Sequence, residues 1–147
     1  MPSTKSSRRR ARELVLQGAY QRLLSGNEPA AIAAQLREVA GFDKADGALF
    51  ERLWRGVNAH FDELMAAIAP YLDRAHDALS PIERCVLAIA AWELLHEPAT
   101  PYRVIINEAV ELAKAYGGTD GYKYVNGVLD KLASSAREHE ERGRASP

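Results

Sequence analysis

Apolar residues recurring three and four positions apart, punctuated by helix-starting and helix-ending residues, confine this chain to an all-helical fold. Twenty-five alanines among 147 residues push the same way, because alanine loses no side-chain entropy on entering a helix. The one strand-like stretch, Val104-Ile105-Ile106, is short and lies inside a helical pattern. The periodicity predicts seven helices, at about 8–25, 29–40, 44–60, 62–78, 81–96, 101–116 and 119–136. Short connections imply antiparallel neighbours, so the fold class is all-α: a compact bundle of about seven helices in two sub-bundles.

Several boundaries have a physical cause. Ser80-Pro81-Ile82-Glu83 reads as a capping box, with Ser80 accepting from the amide of Glu83 and Pro81 in the first helical position. Thr100-Pro101 repeats the signal at the next helix, and Gly117-Gly118 ends it. Pro70 should kink or split the fourth segment. From Ile82 to Leu95 only Glu83, Arg84 and Glu93 are charged, which marks a central, buried helix. The next helix carries a stripe of Ile105, Ala109, Leu112, Ala113 and Tyr116. The last carries Tyr122, Val125, Leu129 and Leu132.

One domain suits this length, and no apolar run approaches the roughly 18 residues of a membrane span. A Ser-Arg-Arg-Arg run at the N-terminus could pass for a twin-arginine signal, but the stretch after it is charged, so a cytoplasmic protein is expected. The single cysteine, Cys85, cannot form an intramolecular disulfide and sits in the most apolar helix, where packing is the expected role. Four scattered histidines lack partners at metal-ligand spacing, and no glycine-rich phosphate loop is present. Asp43 and Asp46 read as helix-start residues, not a catalytic pair. No enzyme, metal or cofactor is expected.

Net charge is −1, but it is unevenly spread. Residues 1–12 hold Lys5, Arg8, Arg9, Arg10 and Arg12 with no acid, leaving 14 basic and 20 acidic side chains for the remainder. Such a basic arm is the usual footprint of a phosphate-seeking segment. Successive helical residues lie about 100° apart, so Arg8, Arg9 and Arg10 cannot share one acidic partner. Cations there also oppose the helix macrodipole, at about 0.3–1 kcal/mol each when exposed. A solvated, frayed terminus is the bland alternative. In the last helix Tyr124 lies away from the apolar stripe, on an outer side with Asp120, Lys123, Gly127 and Lys131. An aromatic beside lysines suits stacking on an unpaired base, although Tyr124 could equally cover a neighbouring helix. The amides after Gly117-Gly118 could add an anion site. From Arg137 to Pro147 the chain is charged and lacks an apolar face, so a disordered tail is expected after a single domain over 1–136.

The run VIINEAVELAK at 104–114, the run KYVNGVLDK at 123–131, the RRRARE start at 8–13 and Gln17-Gly18-Ala19-Tyr20 together resemble the NusB family of bacterial transcription antitermination factors. The resemblance covers about 8–133, is weakest across 26–50 and is absent from the tail. It implies an all-helical fold of two bundle-like halves and no catalysis. It further implies binding of the single-stranded boxA element of nascent, notably ribosomal, RNA together with NusE, a small-subunit ribosomal protein, within an antitermination complex on RNA polymerase. Transferred by motif, the RNA-contacting positions are the basic cluster (Lys5, Arg8, Arg9, Arg10, Arg12) with Asp120, Lys123 and Tyr124. Tyr20 and Glu83 match positions associated with the partner or RNA surface. This sequence departs from the pattern at Tyr124, where phenylalanine is common, at Trp92 and Ala88, and at Gly121, where serine is common.

Two readings compete with an RNA-binding antitermination factor. One is a protein-binding adaptor whose arginines dock an acidic surface. The other is the RNA-recognition domain of a methyltransferase, for which the helices leave no room in this length. If arm and last helix share one ligand, they should lie side by side.

Overall fold

A computed structural model describes residues 4–138, and among these the chain forms seven α-helices, three short 3₁₀ helices and no strand. The helices are α1 (Thr4–Ser25), α2 (Pro29–Arg37), α3 (Gly47–Ala59), α4 (Phe61–Ile68), α5 (Pro81–His96), α6 (Tyr102–Tyr116) and α7 (Gly121–Ala136). No described helix is long and apolar enough to cross a membrane. The chain divides into two compact units, Met1–Phe61 and Asp62–Pro147.

In the first unit α1 packs against α3, α2 and the 3₁₀ turn Phe42–Lys44. Ala11, Leu14, Val15 and Ala19 of α1 are buried at helical spacing, while α3 contributes Leu49, Phe50, Leu53, Trp54 and Val57. Gly18 permits the close approach: a Cβ there would lie 2.6 Å from the Trp54 ring and 2.8 Å from Leu36. The expected second helix is shorter than predicted. It ends at Arg37, and Gly41, at φ 90°, turns the chain in a conformation that favours glycine. The third begins at Gly47 because Asp46 caps it, its Oδ1 accepting from the Leu49 amide at 3.0 Å.

In the second unit α5, α6 and α7 pack on one another. Every residue of α5 from Cys85 to Leu94 is buried, as its apolar circumference required. Ser80 caps α5, its Oγ accepting from the Glu83 amide at 3.2 Å, with Pro81 in the first turn. Pro70 does split the fourth segment: α4 stops at Ile68, and 3₁₀ turns follow at Ala69–Tyr71 and His76–Ala78. Two expected stripe residues are not core. Tyr116 is exposed and Tyr122 is half-buried, while Val128 and Ala133 join Val125, Leu129 and Leu132 in the buried face of α7.

The expected tail needs a correction at its first residue. Arg137 is buried, and its guanidinium donates to the carbonyl oxygens of Leu94 (2.8 Å), Glu97 (2.9 Å), Thr100 (3.0 Å) and Glu93 (3.2 Å). Those carbonyls belong to the end of α5 and the loop after it, where a helix runs short of intrahelical donors; Glu93 and Glu97 also accept from the amides of Glu97 and Thr100. Arg137 therefore belongs to the fold, and residues 139–147 of the expected tail lie outside the described residues.

Candidate nucleic-acid interface

The basic segment belongs to the first unit, and it is helix from Thr4 onward, not an arm ahead of the fold. Its arginines are half-buried against the unit they belong to. The Asp46 amide donates to the Ser7 carbonyl at 2.9 Å, and Asp46 Oδ2 lies 3.9 Å from the Arg8 guanidinium. Asp46 thus ties the first turns of α1 to the start of α3 and compensates one of the cations that oppose the α1 dipole. Arg10 donates to the Ala40 carbonyl at 3.2 Å, lies beside Gly41 and pairs with Glu13 at 3.7 Å. Lys5 is exposed and Arg9 half-buried.

Arg12 departs from the expected RNA-contacting set. It is only 2 % exposed, between the core residues Ala11 and Leu14, because its position falls on the broad inward side of α1. Tyr20, also on α1, is half-buried.

The second unit assembles a different polar cluster. Tyr124 is half-buried on α7, and its hydroxyl donates to Asp73 Oδ1 at 2.9 Å while accepting from the Asp73 amide at 3.1 Å. Arg74 grips the same carboxylate with two bonds, Nε at 2.6 Å and Nη2 at 2.9 Å, and its guanidinium carbon lies 5.1 Å from the centre of the Tyr124 ring. That cation–π distance is within the attractive range. The Arg74 hydrogen bonds, then the Tyr124 hydroxyl, hold the Asp73 carboxyl at a pKa of about 2, and burial pushes the Tyr124 hydroxyl above its ordinary value. Sequence reasoning missed Asp73 and Arg74. Their partner is 51 positions away, and no local pattern links them.

Around the N-terminus of α7 the structure gathers Asp120, Lys123 and Glu83. Lys123 pairs with Asp120 at 3.4 Å, both on the surface. A side chain at Gly121 would collide with the Glu83 carboxylate, so Glu83 sits where a bound anion was expected. The missing Cβ makes room for it. Tyr122 faces Lys114, with Nζ 5.0 Å from the ring centre, and Lys123 at 6.0 Å. Trp92 is buried, its ring 5.4 Å from that of His96, and Ala88 is wholly buried. The cluster offers a pinned aromatic ring with surface cations beside it, a chemistry suited to a base and its phosphates. On α5, burial pushes the Cys85 thiol up to about 12, away from the thiolate form that reacts.

Residues 9–134 match the NusB family. The transcription antitermination proteins NusB of Burkholderia mallei (strain SAVP1), Burkholderia pseudomallei (strain K96243) and Burkholderia thailandensis are each 59% identical over 140 residues, which is 95% of this chain and 97% of theirs. Among solved structures, T. maritima NusB superposes with a TM-score of 0.77 at 32% identity, over 86% of this chain and 90% of that one. A crystal structure of the antitermination factors NusB and NusE in complex with dsRNA gives 0.77 at 24% identity, over 88% and 97%, a likeness of fold. By family match and by near full-length identity to these relatives, the chain belongs to the NusB family.

Proposed function

We infer that this protein is a transcription antitermination factor that acts in the cytoplasm, without catalysis. It binds boxA-type RNA together with NusE and helps RNA polymerase resist termination. The observation that carries the reading is the pinned Tyr124 ring, next in sequence to surface-exposed Lys123, on a chain 59% identical to named antitermination proteins. Aromatic faces stack on any unpaired base, and lysines meet the backbone. Lys5, Arg8, Arg9 and Arg10 on α1 supply further cations for phosphate, and Asp120 orients Lys123. Arg12, only 2 % exposed, is left out of the contacting set. Tyr20 and Glu83 are the proposed partner-side residues. NusE and RNA occur together with the NusB that shares this fold.

Labelled boxA RNA, as a single strand, as a duplex and as a scrambled strand, is titrated against the protein with and without NusE. Preferential binding of single-stranded boxA, tightened by NusE, is expected. Tight NusE binding with no preference over the scrambled strand would overturn the RNA reading in favour of an adaptor, and a preference for the duplex would overturn the stacking role.

A further inference from the structure

The Tyr124 hydroxyl is held from two directions, as donor to the Asp73 carboxylate and as acceptor from the Asp73 amide. A tyrosine with one such bond can still rock about it; two bonds to one residue fix the ring's in-plane position and tilt. Arg74 completes the restraint by occupying one side of the ring while its own position is set by two bonds to Asp73. Among the described residues, the charged groups acting on this cluster are Asp73 and Arg74 on the segment after Tyr71, and Glu83 on α5, whose charge acts on Arg74. Asp73 and Arg74 are largely exposed, so the arrangement is not a by-product of core packing. An exposed ion pair contributes little to stability, which leaves its geometry as what the sequence gains.

The geometry points to Asp73 and Arg74 as positioning residues that hold the Tyr124 ring ready for an RNA base and leave only the side away from Arg74 for it. This rests on the reading of Tyr124 as an RNA-stacking residue. Ordering the ring before binding lowers the entropy lost on complex formation, so the effect appears as affinity without a new contact. Because Arg74 is neutralised by Asp73, the pair adds little net charge to attract phosphate. Asp73 would, as a lone anion, repel RNA.

That last point gives the test a sign. Single-stranded boxA RNA is titrated in the presence of NusE against the unaltered protein, Asp73→Ala, Tyr124→Phe, the double variant and Tyr124→Ala, with helical circular dichroism and melting temperature recorded for each. Simple electrostatics predicts tighter binding for Asp73→Ala, because a negative charge is lost. Positioning predicts the opposite. Asp73→Ala and Tyr124→Phe should each weaken binding about threefold to tenfold, the size of one hydrogen bond. The double variant should lose less than the sum of the two single losses, since the bond from the Tyr124 hydroxyl to the Asp73 carboxylate is lost in both. Equal or tighter binding by Asp73→Ala, or additive losses in the double variant, would overturn the proposal while Tyr124→Ala still weakens binding. Unchanged affinity in Tyr124→Ala would instead sink the stacking reading, and the positioning role with it.

Discussion

The Nε of Arg137, the residue after α7, donates to the carbonyl oxygen of Leu94 near the end of α5 at 2.8 Å. Through its other nitrogens the same guanidinium reaches Glu93, Glu97 and Thr100, so one side chain closes the C-terminal end of the central helix. A cation is favoured there by the helix dipole as well as by the acceptors. Replacing it with methionine keeps much of the stem but removes the guanidinium donors from four carbonyls, of which Glu93 and Glu97 keep a backbone donor. Each hydrogen bond to a charged group is worth about 1.5–3 kcal/mol, but removing the guanidinium also relieves the cost of burying its charge. Arg137→Met should therefore destabilise by about 2 kcal/mol, the size of one such bond. The midpoint of urea unfolding is the measurement, and an unchanged midpoint would mean that these bonds only offset the cost of burying the charge.

Gly18 and Trp54 make a second, opposite case, in which stability depends on an atom being absent. A Cβ at position 18 would lie 2.6 Å from the indole and 2.8 Å from Leu36, in the core of the first unit. Both neighbours are buried side chains, and the Trp54 indole is also held by its N–H donating to the Pro29 carbonyl at 3.2 Å. Gly18→Ala should cost about 1–3 kcal/mol by overpacking. The indole N–H resonance of Trp54 should shift as that hydrogen bond lengthens. A melting temperature at or above that of the unaltered protein would show that the helix gains from alanine and outweighs the clash.

Much of the fold was legible because its signals are local. Ser80 with Pro81, Asp46 ahead of α3 and Pro70 inside the fourth segment each act within one turn, and all three appear where their chemistry requires. The apolar circumference of α5 likewise announced its burial. What the sequence hid depends on partners far along the chain. Arg12 and Arg137 look like members of charged runs, yet each is buried. Periodicity placed Tyr116 and Tyr122 inward, but both sit near helix ends, where the neighbours no longer cover the stripe. Tyr124 was recognisable as an outward aromatic, whereas Asp73 and Arg74, which hold it, carry no local mark at all.

Asp73 titrates in an unusual range, and the direction follows from its partners. Its pKa falls from an ordinary 3.8 to about 2, chiefly through the Arg74 hydrogen bonds. The charged carboxylate is the bonded form, so its contribution to the folded state is present above pH 3.8 and is lost as pH falls through about 2. The carboxyl carbon resonance of Asp73 should show a midpoint near 2. In Arg74→Gln the midpoint should climb toward the ordinary value, because the largest cause is gone. A midpoint unmoved by Arg74→Gln would assign the depression to Tyr124 instead.

Cys85 should be silent to thiol chemistry while the protein is folded. Burial holds its thiol near a pKa of about 12, and thiolate is the reactive form. At pH 8 a thiol-directed reagent should label the native protein only as fast as it opens, and label it promptly in urea. Rapid native labelling would mean that α5 opens locally far more often than its burial implies.

If the proposed α1 cations meet phosphate, they set how RNA affinity falls with salt, and the structure lowers the expected number. All five basic residues in contact with phosphate would give a log–log slope of about −3.5, at about −0.7 per contact on a single strand. With Arg12 only 2 % exposed, Lys5, Arg8, Arg9 and Arg10 remain, and their share falls to about −2.8. Deleting residues 1–12 is a poor test, because it also removes Ala11, which is fully buried in the core. Glutamine at Lys5, Arg8, Arg9 and Arg10 together is cleaner, and it should flatten the slope by as much as about 2.8 while the circular dichroism stays helical. Arg8 and Arg10 lie near Asp46 and Glu13, so phosphate must compete with carboxylates for them, and a change well short of that ceiling would mean the acids win. No change at all would remove α1 from the RNA interface and leave α7 as the contacting surface.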